Sequence, residues 1–268
     1  MLGQRVLTGI VLLAALVSAL FWLPRPGWGA LMVGAIAVAS FEWGRLAGLG
    51  PRGTLAYALA LSAAATALLV GVPVGGGYAV AAPLALNASF WLIVALPILV
   101  RPARTMTRVQ VLVCGAIVLI PTFWAFVLLQ AQPRGFLMVL GVVWVADTAA
   151  YLCGRRWGRH KLAPAVSPGK TWEGVAGAML AVAVYAWAMQ PWVAQDFPPI
   201  AGARWMVLAF VLVGLGIVGD LFESWLKRRA QVKDSGRLLP GHGGVLDRAD
   251  ALTAALPFAA LILTWPHA

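Results

Sequence analysis

The chain has 268 residues, of which 62% are apolar and only 11% are charged. A water-soluble fold with so few charges would expose large apolar patches, and a disordered chain would be poor in apolar residues, so both classes are excluded. The 20 Lys and Arg against 9 Asp and Glu leave a net charge of +11. In a membrane protein this excess favours lipid headgroups or phosphate-bearing substrates over nucleic acid as partners.

Apolar runs recur along the chain, each long enough for a helix that crosses a bilayer core of about 30 Å. They lack the in-and-out alternation of barrel strands, so the predicted fold is all-α: a polytopic bundle of about nine transmembrane helices within one integral membrane domain, 1–268. The predicted spans are residues 6–24, 28–44, 54–71, 78–99, 109–130, 135–153, 174–195, 204–224 and 249–266.

The basic residues test this helix count independently. With nine spans, 17 of the 20 Lys and Arg fall on one side of the membrane, and only Arg25, Arg134 and Arg204 fall on the other. By the positive-inside rule the crowded side is cytoplasmic. The sequence therefore predicts a cytoplasmic N-terminus and a C-terminus on the opposite side.

Acidic residues are costly in a membrane protein, so each is a functional candidate. Five of the nine lie between positions 220 and 250. Asp220, Glu223 and Lys227 share one face at the end of the eighth span, and Asp247 and Asp250 repeat the i, i+3 spacing at the start of the ninth. Carboxylates so spaced suit Mg²⁺, which is usually shared with substrate phosphates.

The segment between these acidic pairs carries cations and glycines. Backbone N–H groups at Gly243 and Gly244 can approach an anion closely, and four side chains can pair with phosphate oxygens: Lys227, Arg228, Lys233 and Arg237. The alternative is a patch that binds anionic lipid headgroups, with the acidic side chains in local ion pairs. The mixture of both signs favours a metal and phosphate site.

The same segment resembles the signature of phosphatidate cytidylyltransferases, also called CDP-diacylglycerol synthases. Thirteen specified positions fall in register: Ser224, Lys227, Arg228, Lys233, Asp234, Gly236, Pro240, His242, Gly243, Gly244, Asp247, Arg248 and Asp250. A second block, ADTAAYLCGRRWGRHKL followed by SPGKTWEG, is similar to two further elements of that family, with Gly169 in place of a lysine. A P-loop is excluded because Pro164 stands where its first glycine would be.

The resemblance implies that CTP and phosphatidate react to give CDP-diacylglycerol and pyrophosphate at the cytoplasmic face of the inner membrane. It implies that residues 135–268 carry the catalytic helices and loops, while 1–134 form a scaffold. Mg²⁺ is the implied cofactor. A second cation and a homodimer remain open alternatives.

Site residues follow from the resemblance together with the charge pattern. The catalytic residues are predicted to be Asp220, Lys227, Arg228, Lys233, Asp247 and Asp250. The substrate-binding residues are predicted to be Ser167, Lys170, Thr171, Glu173, Ser224, His242, Gly243, Gly244 and Arg248. The predicted metal ligands are Asp220, Asp247 and Asp250, with Glu223 and Asp147 as further candidates.

Two local expectations concern single features. Ser167 and Pro168 are a good N-cap and N1 pair, so SPGKTWEG is predicted to open the seventh helix, either as an anion site or as an ordinary cap. Glu42, at the end of the second span, either pairs simply with Arg45 at i+3, which is the favoured interpretation, or has a functional role that the sequence leaves open.

Two other functions remain open at this stage. One is a different CTP-dependent lipid kinase or transferase, which would share the substrate chemistry. The other, less favoured, is a secondary transporter, which would place its acidic residues near the bilayer midplane rather than at one face.

Overall fold

The computed structural model describes residues 2–72, 78–236, 238 and 243–264. Its helices are α1 (Leu2–Trp22), α2 (Arg25–Leu46), α3 (Pro51–Gly71), α4 (Tyr78–Phe90), α5 (Leu96–Val100), α6 (Arg108–Leu129), α7 (Pro133–Trp157), α8 (Trp172–Asp196), α9 (Ala203–Arg229) and α10 (Leu246–Thr264). A π-helical turn, Trp91–Ala95, joins α4 to α5, and a 3₁₀ turn, Pro198–Ile200, precedes α9. Between α7 and α8 lie two short strands, β1 (Lys161–Ala163) and β2 (Ser167–Thr171).

Each predicted span overlaps a helix, which confirms an all-α membrane protein. Within the described residues, six helical segments are long and apolar enough to cross a membrane: Pro51–Gly71, Tyr78–Val100, Arg108–Leu129, Pro133–Trp157, Trp172–Asp196 and Ala203–Arg229. Helix α9 runs past its predicted end at 224, so Lys227 and Arg228 lie on the helix itself. Helix α10 is not among the six, since Asp247, Arg248 and Asp250 fill its first turns.

Helix α2 ends where Gly48 adopts a positive φ of 77°, a conformation that glycine reaches without strain. The N–H of Ala47 donates to Trp43 O, and the N–H of Leu49 donates to Gly44 O, so the last carbonyls of α2 are satisfied. Pro51 then occupies the first position of α3, where its missing N–H costs nothing. The tight connection packs α2 and α3 side by side.

Helix α10 lies at the centre of the bundle. It packs against α2, α4, α6, α7 and α9, and residues 251–257 are all buried. The hydroxyl of Thr122 on α6 donates to the carbonyl of Thr253 on α10 at 3.2 Å. The first turn of α10, which carries Asp247, is thereby brought among the ends of the surrounding helices.

Several tryptophans tie helices together inside this bundle. The indole N–H of Trp43 donates to Val111 O at 2.8 Å, and that of Trp205 donates to Ala186 O at 2.9 Å. Both side chains are almost completely buried. Each bond satisfies a buried donor that would otherwise cost about 1–3 kcal/mol.

The expectation that Ser167 and Pro168 open a helix is wrong. Ser167 pairs with Ala163 across an antiparallel hairpin, and the helix begins later, at Trp172. Thr171 is the actual N-cap, because its hydroxyl accepts the N–H of Gly174 at 3.2 Å. Pro168 is tolerated in β2 because a two-stranded sheet has only edge strands, where a missing N–H leaves no central ladder bond broken.

Candidate functional site

Lys227 joins the end of α9 to the start of α10. Its Nζ lies 3.0 Å from Oε2 of Glu223, one turn earlier on α9, and 2.7 Å from Oδ1 of Asp247 on α10. The Lys227 side chain is only 14% exposed, and both carboxylates are more deeply buried. These three residues, here called the interhelical ion cluster, set the spacing of the two helix ends.

Asp247 also organises the loop between α9 and α10. Its Oδ2 accepts the N–H of Ser235 at 2.9 Å, the hydroxyl of Ser235 at 3.0 Å and the N–H of Gly244 at 2.8 Å. Its other oxygen, Oδ1, accepts a hydrogen bond from the Lys227 ammonium at 2.7 Å, so every one of these contacts favours the charged carboxylate. Asp247 is therefore an ionised anchor for both ends of the loop.

The hairpin brings Lys170 to α9. The Nζ of Lys170 lies 2.5 Å from Oδ2 of Asp220, and both side chains are partly exposed. The hydroxyl of Ser224 donates to the other oxygen of Asp220 at 3.4 Å. Lys170 and Asp220, predicted from two distant blocks of sequence, are thus neighbours.

Two further contacts hold the hairpin, one at its base and one at its turn. Glu173 accepts the backbone N–H of His160 at 3.1 Å and lies 2.6 Å from its Nδ1. Nε of Arg228 lies 3.5 Å from the carbonyl oxygen of Val166 in the turn. Glu173 and Arg228, predicted to bind substrate and to act in catalysis, thus also hold the segment that carries Lys170. No role was predicted for His160.

Three carboxylates from three helices face one region. Asp147 on α7 interacts electrostatically with Asp220 on α9, and Asp250 on α10 interacts with both. Lys170 and Arg248 attract the Asp147 carboxylate, whereas Asp220 repels it. Within the described ranges, no three His, Cys, Asp or Glu side chains converge closely enough to hold one metal ion.

The remaining predicted residues are spread around this region. Lys233, Asp234 and Arg248 are exposed. The N–H of Gly244 already has Asp247 as its acceptor, while Gly243 adopts a positive φ of 83° beside it. His242, and with it Arg237, lies outside the described residues.

The main residues that the sequence did not reveal are Glu42 and Ser235. The predicted pair between Glu42 and Arg45 is wrong: Glu42 is 3% exposed and turns inward, whereas Arg45 is exposed. The hydroxyl of Ser235 lies 3.0 Å from a carboxylate oxygen of Glu42. The available signal was the scarcity of acidic residues, which makes a buried one a candidate.

Comparison with known proteins agrees with the resemblance seen in the sequence. The profile of the cytidylyltransferase family matches residues 3–265. The chain is 39% identical over 271 residues to a phosphatidate cytidylyltransferase of Pseudomonas aeruginosa, covering 98% of this chain and 97% of that protein. It is 36% identical over 286 residues to one of Haemophilus influenzae, covering 96% and 97%. The chain belongs to the cytidylyltransferase family.

Proposed function

We propose that this chain is a phosphatidate cytidylyltransferase, which converts CTP and phosphatidate to CDP-diacylglycerol and pyrophosphate. The observation that carries the proposal is similarity along nearly the whole chain to relatives with that name. The geometry supports it, since cations from the hairpin and from α9 gather beside three carboxylates at one end of the bundle. A lipid kinase or a transporter is not favoured by these relatives.

In this reaction a phosphate oxygen of phosphatidate attacks the α-phosphorus of CTP, and the bond to the pyrophosphate oxygen breaks. The reaction needs charge neutralisation and in-line positioning more than covalent chemistry from the protein. Lys170 would hold phosphate oxygens, with Lys227, Arg228 and Lys233 adding positive charge. The acyl chains of phosphatidate would stay in the bilayer.

We propose that Mg²⁺ binds between Asp220 and Asp250, with Asp147 beside them. Mg²⁺ keeps several waters and shares substrate phosphates, so it does not require three protein ligands at one point. Two carboxylates therefore suit it even though no three acidic, His or Cys side chains converge in the described part of the chain. When bound, the ion would neutralise nucleotide phosphate charge. Asp247 and Glu223, also predicted as ligands, pair with Lys227 and are only 5% and 4% exposed, so we assign them to positioning. Asp220 pairs with Lys170 but stays 29% exposed, so it remains open to an ion.

A direct assay tests this function. Purified protein with CTP labelled in its α-phosphate, phosphatidate and Mg²⁺ should yield a labelled lipid and release pyrophosphate, and chelation of the metal should stop the reaction. Polyprenol or diacylglycerol in place of phosphatidate serves as the comparison substrate. A labelled lipid formed from either alcohol with CTP labelled in its γ-phosphate would instead identify a lipid kinase.

We further propose nine membrane spans, formed by the six apolar segments with α1, α2 and α10, and a site that faces the cytoplasm. Glu42 joins the end of α2 to the α9–α10 loop and to the start of α10, where Asp247 lies. Lys170 joins the hairpin to the end of α9. The nine-span count assigns these same ends to the side that carries 17 of the basic residues. Bacterial relatives suggest the inner membrane.

Reporter fusions test this topology. A reporter active only outside the cytoplasm should give signal at the C-terminus and after residue 75, and none after residue 164 or 238, because positive loops stay inside. A cytoplasmic reporter at the same positions is the matched control. Signal from the outside reporter after 164 or 238 would contradict both the topology and the assignment of a cytoplasmic nucleotide to this site.

Lys170→Ala is expected to lower kcat/KM for CTP about tenfold or more, since a charge-assisted hydrogen bond contributes roughly 1.5–3 kcal/mol. The reason is that Gly169 leaves Lys170 as the only ammonium of the block SPGKTWEG. Steady-state kinetics with each substrate limiting would measure the loss. Lys161→Ala, an exposed lysine of the same hairpin, is the control.

The hairpin also offers a rescue variant. An added Cβ at Gly169 meets no atom within 4 Å, and the residue is exposed, so Gly169→Lys should fit. We expect Gly169→Lys to recover part of the activity that Lys170→Ala loses. Unchanged kinetics in Lys170→Ala would limit the block to its structural role.

A further inference from the structure

Glu42 lies far from the predicted site in sequence but reaches into it. Its Oε2 lies 3.0 Å from the hydroxyl of Ser235 and accepts the N–H of Leu246 at 2.8 Å. Its Oε1 accepts the N–H of Val245 at 3.1 Å. A single buried carboxylate on α2 therefore joins Ser235 in the α9–α10 loop to Val245 and Leu246 at the start of α10.

The loop has glycine where this carboxylate needs room. A Cβ at Gly236 would overlap Oε1 of Glu42, and a Cβ at Gly244 would overlap both the Ser235 hydroxyl and the Glu42 carboxylate. Two glycines of the sequence signature are thus accounted for by the position of Glu42.

The negative charge of Glu42 suits its position at the N-terminus of α10. Val245 and Leu246 present N–H groups at the N-terminus of α10, where no helical acceptor exists and the helix dipole favours an anion. The hydroxyl of Ser235 lies between Glu42 and Asp247, 3.0 Å from each, and its single proton can serve one of them at a time. Asp247 in turn accepts a hydrogen bond from the Lys227 ammonium.

We propose that Glu42 is a positioning residue of the active site: it holds Ser235 of the α9–α10 loop beside the start of α10 and acts on the site through Ser235 and Asp247. The N-terminal half thus supplies part of the site's framework. The kinetic part of this proposal rests on the proposed function. The structural part, that Glu42 holds the loop, does not.

The decisive experiment compares Glu42→Gln with the wild type. The amide keeps the size of the side chain but turns one acceptor into a donor that faces another donor. We expect at least a tenfold higher KM for CTP, together with faster deuterium uptake by the peptide that contains Val245 and Leu246. The melting temperature should stay close to that of the wild type, which separates positioning from general instability.

Asp196→Asn is the matched control. Asp196 also loses a charge on substitution, but its partner is Arg134. This pair joins the start of α7 to the end of α8, at the opposite end of both helices from the hairpin. We expect wild-type KM and wild-type uptake at 245 and 246. If Glu42→Gln fails to fold, Gly236→Ala replaces it, because this variant keeps Glu42 and inserts a methyl group where the carboxylate lies.

Wild-type KM for CTP, or wild-type uptake at Val245 and Leu246, in the variant that folds would overturn the proposal. If the wild-type protein does not use CTP and phosphatidate, the proposed function fails, and the uptake experiment alone still decides whether Glu42 holds the loop.

Discussion

Asp220→Asn and Asp250→Asn are each expected to lower Mg²⁺-dependent turnover by at least about 100-fold, since each 1.36 kcal/mol of lost transition-state stabilisation is a factor of ten. Asparagine keeps the size and much of the hydrogen-bonding capacity of the side chain but removes the charge that Mg²⁺ needs. The loss should also raise the Mg²⁺ concentration at half-maximal rate, which a titration of activity against Mg²⁺ would measure.

Asp234→Asn is the control for these two variants. Asp234 is exposed on the loop, and we expect a much smaller loss from its substitution. Binding of Mn²⁺, followed by its paramagnetic signal, gives a second readout that does not depend on turnover. Near-normal activity and ion binding in Asp220→Asn and Asp250→Asn, with loss in Asp234→Asn, would contradict the metal assignment.

Lys227→Met is expected to destabilise the protein by about 3 kcal/mol, the lower end of the range for breaking a buried ion pair by removing one partner. Methionine fills much of the volume of lysine, so the expected loss comes from the Glu223 and Asp247 carboxylates that remain without their cation. Thermal unfolding in detergent should show a clearly lower midpoint, and turnover should fall with it.

A second substitution separates charge from packing. Glu223→Gln in the Lys227→Met background removes one of the two uncompensated charges and should restore part of the midpoint. Lys161→Met, at an exposed lysine, should leave the midpoint unchanged. Equal midpoints for Lys227→Met and Lys161→Met would mean that the interhelical ion cluster contributes little to stability.

The helices were predictable because a bilayer allows few alternatives. A chain without water around it must satisfy its backbone internally, so a 20-residue apolar run forms a helix whatever its neighbours are. The hairpin was not predictable, since Ser167 and Pro168 fit a helix start as well as an edge strand. The choice depends on pairing with Ala163, which local sequence does not encode.

The sequence drew attention to the charged residues near this end of the bundle, but it did not predict which side chains they contact. The charges near positions 220–250 stand out because charge is rare in this chain. Which carboxylate meets which donor depends on helix packing, and Glu42 illustrates this. Spacing favoured Arg45, three residues away, whereas the observed partner Ser235 is 193 residues away. Asp247 likewise has the spacing of a metal ligand but the contacts of a loop anchor.

The central position of α10 bears on the order in which the protein is assembled. Ribosomes complete α10 after α2, α4, α6, α7 and α9. These helices therefore cannot complete their packing until α10, which contacts all of them, has been synthesised. During that interval Lys227 need not remain uncompensated near the bilayer, because Glu223 lies one turn away on the same helix. Packing of α10 then adds Asp247 to a pair that already exists. The cation of α9 thus has a partner within its own helix before its second partner has been synthesised.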